Sequence, residues 1–163
     1  FYDNVSDISI DMNLGSVEIK KGSKLEVIYT GAEKFKPAVS VSGTSLNIEQ
    51  HVKVHLMTNI KNSDCTLTIT IPDNVSLNSI QADLNMGDIK ITNCNSDVFN
   101  LSVDMGSLKI SGMDIDKYSA NLSVDLGDIK VNDSTYSHSY TNNAGSGKSI
   151  NADVNLGDIK INK

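Results

Sequence analysis

The sequence predicts an all-β chain folded as a single-domain β-solenoid, and three observations lead there. A short phrase recurs along the chain. It reads Met12-Asn-Leu-Gly15-Ser-Val-Glu-Ile19, Leu84-Asn-Met-Gly87-Asp-Ile-Lys-Ile91 and Val103-Asp-Met-Gly106-Ser-Leu-Lys-Ile110. It returns as Val124-Asp-Leu-Gly127-Asp-Ile-Lys-Val131 and Val154-Asn-Leu-Gly157-Asp-Ile-Lys-Ile161. Within each copy, apolar and polar residues alternate with the period of two that marks a strand, and the phase slips by one residue at the glycine. The copies are also spaced like coils: 19 residues separate Gly87 from Gly106, 21 separate Gly106 from Gly127, and 30 separate Gly127 from Gly157. A coil of about 20 residues, with one insertion of about 10, accounts for these intervals.

Each phrase therefore reads as two short strands meeting at a corner. Gly15, Gly87, Gly106, Gly127 and Gly157 supply the backbone freedom for that corner. Helix is excluded, because the apolar positions would scatter round a helical wheel. Stacked in sequence order, successive phrases would lie roughly 4.8 Å apart. Met86, Met105, Leu126 and Leu156 would then form one inward column. Ile89, Leu108, Ile129 and Ile159 would form a second, and Ile91, Ile110, Val131 and Ile161 a third. Such columns build the thin core of a solenoid, which suits a chain with 39% apolar residues, 5% aromatics and no tryptophan.

The elements follow in order. Residues 1–80 read as less regular strands. Ser6 to Lys20 is a strand pair around Gly15, and Lys24 to Thr30 is a strand. Ala38 to Ile48 is a hairpin turning at Ser42-Gly43. Gln50 to Met57 is a strand with Val52, Val54 and Leu56 inward. Cys65 to Pro72 is a strand ended by Pro-Asp-Asn. Residues 81–163 carry the regular repeats, with an insertion at 132–149. There Tyr136, His138 and Tyr140 alternate on a strand-like excursion, followed by the turn-rich run Asn142-Asn-Ala-Gly145-Ser-Gly147. No linker divides the chain, so residues 1–163 read as one domain.

Serial phrases ending in Gly-Asp-Ile-Lys-Ile, preceded by Leu67-Thr-Ile-Thr-Ile71-Pro72 and Val75-Ser-Leu77, resemble the putative-adhesin domain family of bacterial envelope proteins. The resemblance covers Ile8 to Ile161. It implies a β-solenoid of unknown function, extracytoplasmic and at the cell surface or secreted, often tethered by a segment not present in this sequence. The family carries no agreed catalytic residues. Some relatives look linked to envelope-stress responses.

Charge and composition restrict the partners. The net charge is −6, with 14 lysines and no arginine. With no basic patch, nucleic acid is not expected as a partner, and an anionic membrane would not attract the domain by charge. No apolar run is long enough to span a bilayer. Cys65 and Cys94 fit no metal spacing and no redox motif, and they read as buried thiols, with a single disulfide left open.

Polar residues flank each corner glycine. Asn85, Asp104, Asp125 and Asn155 lie two residues before it, and Asp88, Ser107, Asp128 and Asp158 follow it. Asp104, Asp125 and Asp128 are the candidate ligands for Ca²⁺, which takes six to eight oxygens. The competing explanation, which carries more weight, is that such residues satisfy corner backbone groups. No cofactor is otherwise expected. Asp104 and Asp125, on adjacent rungs, would also sit near the spacing of a retaining glycosidase, but water-facing carboxylates lack the required raised pKa. A lysine column, Lys90, Lys109, Lys130 and Lys160, should face water. His51 and His55 lie about 13 Å apart on a strand, too far for one ion. Tyr136, His138 and Tyr140 are the candidate ligand-binding face, since exposed aromatics anchor partners or sugar rings.

The expected function is a non-catalytic, adhesion-type surface module binding a protein or glycan. The alternative is an envelope-stress or signalling accessory acting by peptide binding or self-association. A carbohydrate-active enzyme ranks third. The last phrase ends near Lys163, so an uncapped edge and homo-oligomers joined through solenoid ends are expected.

Overall fold

A computed structural model describes residues 4–52 and 65–163. The described residues form fourteen strands in one continuous sheet, bent at the corners into two limbs. They are β1 (Asp7–Leu14), β2 (Ser16–Gly22), β3 (Glu26–Thr30), β4 (Ala38–Ser42), β5 (Ser45–Gln50), β6 (Thr66–Pro72) and β7 (Leu77–Met86). Then come β8 (Ile89–Thr92), β9 (Ser96–Met105), β10 (Leu108–Ser111), β11 (Ser119–Val131), β12 (Ser134–Asn142), β13 (Ser149–Leu156) and β14 (Ile159–Asn162). Part of the expected strand from Gln50 to Met57, with Val54, His55 and Leu56, lies outside the described residues.

Each phrase is one coil. Strand β7 runs into the corner at Gly87, and β8 leaves it along the second limb. A second corner follows at Asn93 (φ 54°), matched by Gly112 (φ 79°) and Asn132 (φ 51°), and returns the chain toward the next coil. Like strands pair in parallel with no slip: Leu84 opposes Val103, Lys90 opposes Lys109 and Ile91 opposes Ile110. A one-residue slip would turn every apolar side chain outward, so the buried face holds the register.

The coils do not stack in sequence order. On the long limb the order is β4, β5, β1, β7, β9, β13, β11; on the short limb it is β3, β6, β2, β8, β10, β14, then the second half of β11. The last phrase therefore lies between the phrases of Gly106 and Gly127. The expected order, with Gly157 outermost, is corrected. The insertion at 132–149 is an integral part of the stack. Its strand β12 runs antiparallel to β11 and closes that end of the stack. The following loop then carries the chain back to the open slot beside β9 and β10. The 30-residue interval is the length of that return path.

Two of the three expected columns form the core. Val17, Ile89, Leu108, Ile159 and Ile129 are buried in one row, and Ile19, Ile91, Ile110, Ile161 and Val131 in the next. The facing limb contributes Met12, Leu84, Val103, Val154 and Val124. The third expected column points elsewhere. Met105, Leu156 and Leu126 are 43%, 46% and 67% exposed. Parity places them inward, but they stand next to the turn at the glycine, which carries them onto the outer flank. Only Leu14, the equivalent residue of the first coil, is covered, in a separate cluster with Phe35 and Cys65.

Both ends of the stack carry antiparallel strands. At one end β4 pairs β5 and β3 pairs β6; at the other β12 covers both halves of β11. The expected bare edge on the last phrase is absent, because that phrase is paired on both sides.

Candidate functional site

At the corners, the residue after each glycine serves the backbone. The Ser107 N–H donates to Asp88 Oδ1 at 2.8 Å, Asp158 N–H to Ser107 Oγ at 3.4 Å, and Asp128 N–H to Asp158 Oδ1 at 2.8 Å. Each side chain thus caps the rung above it. The glycines themselves are in contact: a Cβ on Gly106 would strike the carbonyl oxygen of Gly87, and one on Gly157 that of Gly106. Among the described residues, no group of three or more His, Cys, Asp or Glu is placed to hold a metal ion.

The ladder before the glycines reads Asn13, Asn85, Asp104, Asn155, Asp125 in spatial order. Asn155 separates Asp104 from Asp125 and donates to Asp104 Oδ1 at 3.0 Å. The two carboxylates are therefore two rungs apart, about 10 Å along the stack. The adjacent pair of a retaining glycosidase is not formed.

Two further polar ladders cross the outer face of the long limb. One runs Asn47, Ser9, Gln81, Asn100, Asn151, Asn121. The other runs Glu49, Asp11, Asp83, Ser102, Asp153, Ser123. Asn151 Nδ2 donates to Asn100 Oδ1 at 3.1 Å, and the Ser123 hydroxyl donates to Asp153. Between β7 and β11 these side chains line a shallow groove of about 280 Å³, floored in part by Ala82, Leu101 and Ala152. Burial, then Asp11 and Asp104, push the Asp83 carboxyl above its ordinary range. Sequence reasoning missed this face. Its signal was present: Ser9, Gln81, Asn100, Asn121 and Asn151 all stand six residues before a corner glycine.

The three candidate ligand-binding residues lie on β12. The rings of Tyr136 and Tyr140 meet edge to face, 5.0 Å between centroids. Tyr136 is 38% exposed, while Tyr140 is half-buried and packs against the core. Burial, then Tyr136, push the Tyr140 hydroxyl up. His138 takes φ 72° at the place where β12 crosses the corner: Ser139 pairs Ser123 and Ser137 pairs Asp128, so four residues of β11 bulge opposite one.

The lysine column is exposed in the order Lys90, Lys109, Lys160, Lys130, and Glu18 closes it with a 3.0 Å contact to Lys90. His51 is exposed and 3.8 Å from Glu49. Cys65 and Cys94 are buried free thiols, and burial pushes Cys94 up to about 11. A lone glutamine carries more structure than the sequence suggested. Gln50 is buried; it accepts from the Leu14 N–H at 2.8 Å and donates through Nε2 to the Phe35 carbonyl at 2.6 Å. It pins the loop bearing Lys34-Phe35-Lys36 over the first rung of the flank column.

No helix among the described residues is long and apolar enough to cross a membrane. No curated protein matches the chain. Among solved structures, it is similar to a protein described as "a putative cell adhesion protein" from Clostridium sporogenes ATCC 15579, with a TM-score of 0.59 and 14% identity over 98% of this chain and 94% of that one. That likeness is one of fold. The model of the Toastrack DUF4097 family matches residues 5–163, nearly the whole described solenoid, so the chain belongs to the Toastrack DUF4097 family.

Proposed function

We propose that this chain is a non-catalytic, adhesion-type interaction module of the cell surface, and that its outer long-limb face binds a linear glycan. One observation carries the reading. The groove over β7, β9, β13 and β11 presents amides, hydroxyls and carboxylates in straight ladders. Paired donors and acceptors at rungs about 4.8 Å apart match a chain that offers hydroxyls at short, regular intervals along the stack axis. The contacts Asn151–Asn100 and Ser123–Asp153 hold these groups in place before a ligand arrives, which limits the ordering cost of binding. The similar protein from Clostridium sporogenes, described as a cell adhesion protein, supports the same class.

Calorimetric titration against soluble linear glucan and chitin oligosaccharides tests the reading. Binding is expected without release of shorter products, and the Asn100→Ala/Asn151→Ala double variant should weaken it about tenfold, a loss of roughly 1.4 kcal/mol. An absence of heat across the panel, or equal binding by the double variant, rejects it.

A further inference from the structure

The flank column is an unpartnered apolar stripe. In spatial order it runs Met86, Met105, Leu156, Leu126, and exposure rises along it to 67% at Leu126. Soluble chains rarely leave large aliphatic side chains stacked in a row facing water. Its first rung shows how the fold covers it: Phe35, between Lys34 and Lys36, is buried in one cluster with Leu14 and Cys65, and Met86 packs against that cluster. Lys34 Nζ sits 4.7 Å from the centre of that ring. The chain thus uses an apolar anchor flanked by basic residues for its own contact.

The remaining rungs add acidic flanks where the first rung has Asn13 and Ser16. Asp104 and Asp125 lie along one side of the stripe, and Asp88, Asp158 and Asp128 along the other. One step beyond the second rail runs the lysine column, so a partner's far edge meets positive charge there. We infer that the stripe from Met105 to Leu126 is a docking surface for a basic amphipathic helix of a partner protein. Rungs stand about 4.8 Å apart. Residues three and four apart on a helix face rise about 4.5–6 Å, so one apolar side chain meets each rung. An extended strand repeats its side chains about 6.7 Å apart and falls out of step. A second copy of this chain would bring aspartate rails against aspartate rails. This surface is separate from the Asn100–Asn151 face, so the two readings stand or fall apart.

The probe is a fluorescein-labelled synthetic helix of about fourteen residues, with leucines on one face and lysines beside them. Controls are the same composition with the leucines scattered, and a version with glutamate for lysine. Fluorescence anisotropy should show binding of the first peptide and at least about tenfold weaker binding of both controls. Leu156→Ser/Leu126→Ser should lose binding by a similar factor with an unchanged melting temperature, while Asn100→Ala/Asn151→Ala should leave it intact. Equal binding of the scattered peptide, or undiminished binding by the leucine variant, overturns the inference. So does column-dependent binding to phosphatidylcholine–phosphatidylglycerol vesicles without peptide binding, or a column-dependent dimer in light scattering.

Discussion

At the residue scale, a single methyl group separates a tolerated change from a disruptive one. Gly106 holds φ 142° with its α-carbon against the Gly87 carbonyl, so Gly106→Ala meets both a disfavoured backbone and a backbone clash. A loss of more than about 2 kcal/mol is expected in urea denaturation. Gly43, also at positive φ but with open space around it, provides the contrast: Gly43→Asn should stay within about 0.5 kcal/mol of the parent. Gln50→Ala should cost about 1–3 kcal/mol, because it leaves the Leu14 N–H and Phe35 carbonyl without their partner. Tryptic cleavage after Lys34 should then quicken as the loop loosens; Lys36 precedes Pro37 and is not a tryptic site. The corner glycines were legible because they recur at matched offsets. Gln50 was not, since its two bonds reach 36 and 15 residues away and leave no pattern in the chain.

At the element scale, the polar ladders bring like charges together. Asp83 opposes Asp11 directly, which in turn opposes Glu49. The raised pKa of Asp83 fixes the sign of its effect. Its contribution to stability is fully present below the unfolded value and is lost as pH rises through the folded value. Asp83→Asn should therefore stabilise the fold near neutral pH by no more than about a few tenths of a kcal/mol for an exposed group, seen as a small rise in melting temperature. The gain should vanish by pH 3. Thermal melts of both proteins across that range check it. Strand positions were readable from the period of two, and the parity break located the corner at each repeated glycine, but not the second corner at Asn93, Gly112 and Asn132. Parity could not show which apolar residues the corner turns outward. That is why Met105, Leu126 and Leu156 read as core and stand on the flank. Nor does a local pattern reveal a parallel partner chosen from several equivalent coils, so the order of the stack was read wrongly.

At the scale of the whole molecule, the coil of β13 and β14 fills a slot between coils made earlier in the chain, and the coil of β1 and β2 is likewise paired on both sides. Removing residues 149–163 should expose the facing edges of β9–β10 and of β11 together. Such parallel edges recruit other chains. The shortened protein is expected to aggregate during size-exclusion chromatography, while the full chain, capped by antiparallel strands at both ends, runs as a monomer. The solenoid class was legible from the repeated phrase; the interior place of the last coil was not, since the phrase is nearly the same at every rung.

That interior placement also decides how the domain meets mechanical tension. A pull applied near Asn4 and Lys163 reaches coils that are hydrogen-bonded on both flanks of both limbs. Force directed along those strands loads whole parallel ladders in shear, and the bonds of a ladder must give way together. In a stack laid down in sequence order, the outermost coil would instead peel away one bond at a time. The return loop through β12 thus turns an end that would unzip into one that must be sheared free.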